Sequence, residues 1–168
     1  MKKLFLLFAM TIMSMAAYSQ STIGAYISDN NGKYSNVRNA PNGAIVDKIP
    51  VDSFGMMELG SPKNGWWKII GGNYDTGDGN VKLKASKSGH WIHYSCIACG
   101  TRNYGNQKLS LRSTPSKQGR VTYTFSKEIE LRPIDVKGGW VKVKTADGKH
   151  EGWIESDWLC GNSLTNCC

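Results

Sequence analysis

Four residues of the types that bind zinc stand within ten positions, as His90, His93, Cys96 and Cys99. Two chemistries could use them. Nitrogen and thiolate donors can hold a tetrahedral zinc ion, and a thiolate beside an imidazole can serve as a nucleophile with its base. Neither fits the local chain. Around Trp91 and Ile92 the pattern is that of a strand, on which His90 and His93 point to opposite faces. Three-residue steps also leave little chain to wrap an ion. A nucleophile needs a third group to orient its base, and the neighbours Tyr94 and Ser95 include no Asp, Glu or Asn to fill that place. Redox C-x-x-C pairs sit at a helix start in an alternating strand–helix pattern, which is missing here. The reading is therefore a non-enzymatic protein with no metal, no cofactor and no catalytic residue.

Other side chains offer binding rather than catalysis. Trp140-Val141-Lys142-Val143-Lys144 alternates so that Val141 and Val143 face inward and Trp140, Lys142 and Lys144 face outward. Trp66-Trp67-Lys68-Ile69 repeats the pattern, with Trp67 and Ile69 inward and Trp66 and Lys68 outward. An outward tryptophan on a lysine-bearing face is not needed by a core, and exposed aromatics mark recognition surfaces. The Gly- and Asp-rich stretch 71–80 has oxygen ligands for calcium but lacks the closing bidentate glutamate of a twelve-residue calcium loop, so it reads as a hairpin insertion. Arg38 and Arg112 could bind anions, but they occupy equivalent places before Pro41 and Pro115 and read as turn-holding residues.

That equivalence is part of a repeat. At an offset of 74, Arg38 falls on Arg112, Pro41 on Pro115, Gly65 on Gly139, Trp66 on Trp140 and Lys68 on Lys142. Further on the offset is 62, with Trp91-Ile92 on Trp153-Ile154, and 61, with Cys99-Gly100 on Cys160-Gly161. The expected elements are short strands of four to seven residues between Gly, Pro, Asn and Asp clusters. No segment carries a sustained helical period.

The chain begins with Lys2 and Lys3, an apolar run from Leu4 to Met15, and small residues at Ala17 and Ser19. This predicts a signal peptide over 1–19, cleaved after Ser19. The run is shorter than the ~20 apolar residues of a permanent span, and no cysteine follows it to take a lipid. The mature chain is expected in the periplasm or secreted. Losing Lys2 and Lys3 lowers the formal charge from +8 to +6. A basic protein outside the cytoplasm is not expected to meet nucleic acid; wall polymers, lipid headgroups or an acidic protein fit its charge better. Five cysteines in a small exported chain predict disulfides. The expected pairs are Cys160 with Cys167 or Cys168, and Cys96 with Cys99, with a bridge from Cys99 to the tail as the alternative. The odd number leaves one thiol free or paired between molecules.

Leu109-Ser110-Leu111-Arg112-Ser113-Thr114-Pro115, then Gly139-Trp140-Val141-Lys142-Val143, then Gly152-Trp153-Ile154 through Trp158-Leu159, resemble the three blocks of the bacterial SH3 family. Asn36-Val37-Arg38-Asn39-Ala40-Pro41, Gly65-Trp66-Trp67-Lys68-Ile69 and His90 to Tyr94 repeat them more loosely. The resemblance implies an all-β chain of two tandem small SH3-like β-barrels. The first spans 20–101 with a loop insertion at 71–88, and the second spans 102–168 with a cysteine-bearing tail. It further implies a targeting module that binds peptidoglycan or its peptides. Trp140 and Trp158 match positions where such domains carry ligand-facing aromatics, and Trp66 matches Trp140 in the first copy. Cys96 stands where the first copy would carry the second ring, which favours the second groove. The alternative is an exported inhibitor or immunity-type protein that binds another protein, such as a cell-wall hydrolase.

Overall fold

In the computed structural model, residues 22–77, 79–83 and 90–163 are described. The predicted signal peptide, Cys167 and Cys168 lie outside them, as do positions 78 and 84–88 of the insertion and position 89 after it. The fold is all-β. In chain order the strands are β1 Ile23–Ile27, β2 Tyr34–Arg38, β3 Ile45–Pro50, β4 Phe54–Lys63, β5 Trp66–Asp75, β6 Asn80–Lys82, β7 Trp91–His93, β8 Ile97–Thr101, β9 Leu109–Arg112, β10 Val121–Phe125, β11 Glu130–Lys137, β12 Trp140–Thr145, β13 Glu151–Glu155 and β14 Leu159–Cys160. Two single 3₁₀ turns, Tyr94–Cys96 and Ser156–Trp158, stand at matching places before β8 and β14. No helix among the described residues is long and apolar enough to cross a membrane.

The same local chemistry builds the central hairpin of each half. Asn64 and Gly65, at φ 52° and 78°, join β4 to β5; Gly138 and Gly139, at φ 55° and 78°, join β11 to β12. Two consecutive residues in the left-handed region make the type I′ turn, whose twist matches that of paired strands. Past each turn the alternation buries Trp67 and Ile69 in one half and Val141 and Val143 in the other.

The first half pairs β2 with β3, β4 with β5, β5 with β7 and β7 with β2. The second half pairs β9 with β10, β11 with β12, β12 with β13 and β13 with β9, all antiparallel. The halves are not two separately closed barrels. The strands form one continuous antiparallel sheet whose middle is β11-β8-β1-β4. β8 takes two roles in it. Towards the first half it lies beside β1, with Tyr26 opposite Ala98; towards the second it carries β14, with Cys160 opposite Gly100, and pairs with β11. β8 therefore closes the first half as β14 closes the second, and opens the second half as β1 opens the first. The matching hydrogen bonds are Ser28 N to Cys96 O and Arg102 N to Trp158 O, both 3.0 Å. This register puts Ala98, not Cys99, in the place of Cys160. The offset stays at 62, and the sequence match of the two cysteines is one residue out of step.

Side chains knit the halves together. One core cluster runs from Ile23 and Trp67 through Ile97 and Cys99 to Leu131 and Ile154. Trp67 Nε1 donates to the Pro133 carbonyl at 2.8 Å. Arg132 donates to the carbonyls of Ser28, Ser95 and Ile97, while Glu130 accepts from Tyr26 and Ser28 at 3.0 Å each. Gly161 packs against Gly24 so closely that a Cβ there would lie 2.1 Å from the Gly24 carbonyl carbon.

The insertion begins as a hairpin. Residues 71–75 continue β5 and pair with β4, and Asn73 to Asp75 also pair with β6. Gly72, at φ +115°, lies with its backbone over Met56 O, 2.2 Å from where a Cβ would sit, so the strand itself demands glycine there.

Candidate functional site

Trp140 and Trp158 reach one place by different routes. Trp140 opens β12 directly after the Gly138–Gly139 turn and takes the outward side of the alternation. Trp158 ends the 3₁₀ turn that follows β13, whose last residue Glu155 lies opposite Trp140. Both rings are half-buried. They line an open cleft of about 160 Å³ with Lys108, Ser110, Arg112 and Glu155.

The polar groups are anchored from outside the cleft. Arg112 Nη1 donates to the Gly119 carbonyl at 2.9 Å, holding the 113–120 turn, and Lys117 pairs with Glu155 at 3.4 Å. A guanidinium has five donors, so Arg112 keeps others for a ligand. Outside the lining, Glu151 accepts from Lys142 at 2.6 Å and faces Lys144 at 3.7 Å. The Lys142 hydrogen bond holds the Glu151 carboxyl below its ordinary range, ahead of a smaller opposing effect of burial. The cleft thus offers two indole faces, two cations and one carboxylate.

The equivalent place in the first half is closed. Trp66 was expected to face a ligand but retains 9% exposure. Arg38 stacks over its ring at 5.8 Å, and the His93 ring stands 5.0 Å away. Tyr94, itself 4.5 Å from His93, lies across Gly65, where a Cβ would meet Tyr94 Cδ1 at 2.8 Å. Gly139, at the same φ, has nothing within 4 Å of such a Cβ. The cause is a substitution within the repeat: Ser156 stands where Tyr94 stands, and both donate their backbone N–H at 2.8 Å to the glycine carbonyl of their turn. Arg38 otherwise behaves as Arg112 does, donating to Gly43 O at 2.6 Å.

The His/Cys run does not converge. Among the described residues no three His, Cys, Asp or Glu side chains meet in a way that could hold a metal ion. Cys96 and Cys99, expected to form a pair, are free thiols. The β8 backbone separates them. Cys99 is buried in the core and donates to Gly24 O at 3.1 Å. Cys96 lies 3.9 Å from Ser95 Oγ, and that hydroxyl is 2.8 Å from His93 Nδ1. Burial pushes the Cys96 thiol up to about 11, helped by Asp29, and the Cys99 thiol up to about 12. Burial also lowers the pKa of His93. Both thiols are shifted away from the thiolate that nucleophilic chemistry needs. The expected partners of Cys160, Cys167 or Cys168, lie outside the described residues. The expected outcome of alkylation at pH 8 is slow labelling of Cys96 and none of Cys99 in the folded chain, with both labelled in guanidinium. Peptide mapping reads this, and a Cys96–Cys99 cross-link in non-reduced digests would refute it.

Residues 108–159 match the family model described as a bacterial SH3 domain. This match lies within the second half. No curated protein matches the chain. Among solved structures, NlpC1 from Trichomonas vaginalis is similar at 12% identity and TM-score 0.30, over 91% of this chain and 50% of that one. NlpC2 from the same organism is similar at 12% identity and TM-score 0.30, over 83% and 48%. The chain spans about half the length of these two structures.

Proposed function

We propose that the protein is an exported, non-catalytic binding module that holds a cell-envelope ligand, peptidoglycan or its peptides, in the cleft between Trp140 and Trp158. In this reading the first half is a second, diverged SH3-like copy whose own groove is filled by Tyr94 and His93. It serves as scaffold. The observation that carries the proposal is the convergence of Trp140, Trp158, Lys108 and Arg112 on one open cleft inside the segment that matches the bacterial SH3 family. Indole faces suit the C–H surfaces of sugars and short side chains, and Arg112 with Lys108 suits the carboxylates of wall peptides. The raised thiol pKa values support the non-catalytic part.

Sedimentation with purified sacculi tests the proposal. The parent chain should pellet with them. Trp140→Ala and Trp158→Ala should each weaken binding about fivefold or more, as loss of an aromatic hot spot costs upward of ~1 kcal/mol. Trp66→Phe should leave binding unchanged. Unaltered pelleting of both cleft variants, with their melting curves intact, would remove the cleft from consideration.

A further inference from the structure

The outer face of the first half carries a row of side chains that the second half also has. β7 lies between β2 and β5. Its register sets Trp91 between Arg38 on one side and Lys68 on the other, and Trp153 stands in the same way between Arg112 and Lys142. Directly opposite residues share a face of the sheet, so each indole is bracketed by two cations. Trp91, Arg38 and Lys68 are all half-buried. The alternation adds Lys48, opposite Asn36, on β3 and Lys63, opposite Trp66, on β4. Both are exposed. With strands ~4.8 Å apart, the band from Lys63 to Lys48 crosses about 19 Å of sheet.

The two rows differ in their carboxylates. In the second half Asp135 lies opposite Lys142, Glu155 lies opposite Trp140, and Glu151 pairs with Lys142 at 2.6 Å and Lys144 at 3.7 Å. In the first half Gly60 lies opposite Lys68 and His93 opposite Trp66, while Gly89 takes the place of Glu151 at the offset of 62. The bracketing cations are kept and the acids are lost. The first half's described carboxylates stand elsewhere. Asp47 lies opposite Val37, on the inner side, close enough to Tyr74 to add to the rise in pKa that burial gives that phenol. Asp29 accepts from the buried Ser35. Asp52 lines a cleft with Lys33 past the far ends of β2 and β3. Asp75 is opposite Phe54, at the end of β5 where the register also places Lys82 opposite Asn73. Glu58 alone borders the band, on β4 beyond Gly60, so four cations face one carboxylate.

We propose that this band binds an acidic polysaccharide, a chain of sugars that carry carboxylate or phosphate groups. The C–H face of one sugar ring stacks on the Trp91 indole. Its anionic group lies between Arg38 and Lys68, whose guanidinium and ammonium suit either anion. Arg38 gives one Nη1 donor to Gly43 O and has others for the ligand. Lys63 and Lys48 meet charged sugars further along the chain. The site is separate from the tryptophan cleft of the second half. It gives the half whose own groove is closed a ligand beyond its part as scaffold.

Isothermal titration of the full chain at low salt tests this, with a galacturonate hexamer and a phosphorylated maltohexaose as probes. One of the two should bind, and the tighter identifies the anion; binding of neither would overturn the proposal. The affinity should fall at least tenfold in the Lys48→Gln/Lys68→Gln double variant and at least fivefold in Trp91→Leu, while Trp140→Ala leaves it unchanged. Lys48→Gln alone, at an exposed position, should cost at least threefold, and unaltered melting temperatures will confirm the folds. Equal binding of unmodified maltohexaose would show that charge is not read, and equal binding of hexaglutamate that the sugar ring is not. Either result would refute the assignment, as would an unaffected double variant or tighter binding to phosphatidylglycerol vesicles than to both sugars. Loss of binding in Trp140→Ala would place the sugar in the cleft instead and sink this band, without touching the sacculus result.

Discussion

A fragment of residues 105–168 should stay unfolded, although it contains every block that resembles the bacterial SH3 family. It lacks β8, and β8 is the strand to which β14 is bonded and the outer neighbour of β11. It also lacks Thr101 and Asn103. Asn103, 1% exposed, donates to Ser126 O at 2.7 Å and accepts from Thr101 Oγ1 at 2.8 Å. Thr101 exchanges two bonds with Ile129, one through its hydroxyl at 2.9 Å and one through its backbone at 3.1 Å. Cutting at 105 strands these partners, and a buried group left without one costs ~1–3 kcal/mol. A domain of about 60 residues has only ~5 kcal/mol or so to lose. A fragment of 96–168 restores the strand and both side chains, and should regain a cooperative thermal transition by circular dichroism. If 105–168 melts as sharply as 96–168, β8 is dispensable to the second half and the halves are separate units.

The same strand shows where sequence reasoning stops. The hairpins were legible, because Asn64-Gly65 and Gly138-Gly139 can do little but turn, and Val141 and Val143 can only point inward beside lysines. The double role of β8 was not. Against β1 its residues read Cys99 for Ala25 and Gly100 for Tyr26, and no chemical likeness marks the correspondence. Identity even misled at the other end, where Cys99 on Cys160 looks like a match and the register puts Ala98 there. The repeat and the family blocks both mark Trp140, while only the family blocks mark Trp158, whose counterpart in the first half is Cys96. Trp66 shares the position of Trp140 and was named with it. What separates them is the residue beside the turn glycine, Tyr94 in one half and Ser156 in the other. That difference is visible in the sequence at an offset of 62, but its effect depends on a ring lying back across Gly65, which no periodicity reports.

Trp67→Ala should be among the most damaging single changes in the chain. Trp67 is fully buried on the inner side of β5 and is one of the largest such side chains. Truncating a buried tryptophan costs ~3–5 kcal/mol through lost burial and the cavity left behind, a large share of the ~5–15 kcal/mol that holds a typical domain. Its position adds a second effect. Nε1 reaches Pro133 O on β11, so the ring that fills the first half also satisfies a carbonyl of the second. Trp67→Phe keeps most of the volume and removes only that donor, and it should cost ~1–3 kcal/mol for the orphaned carbonyl. Urea denaturation gives both costs, and hydrogen exchange shows how far they travel. Because β8 and the core cluster are common to both halves, protection should fall together at Ile69 in the first half and at Leu131 and Val143 in the second. Loss of protection confined to the first half would mean that the Trp67–Pro133 bond and β8 do not couple the halves. A free-energy change below ~1 kcal/mol for Trp67→Ala would mean that the ring is not packed as described.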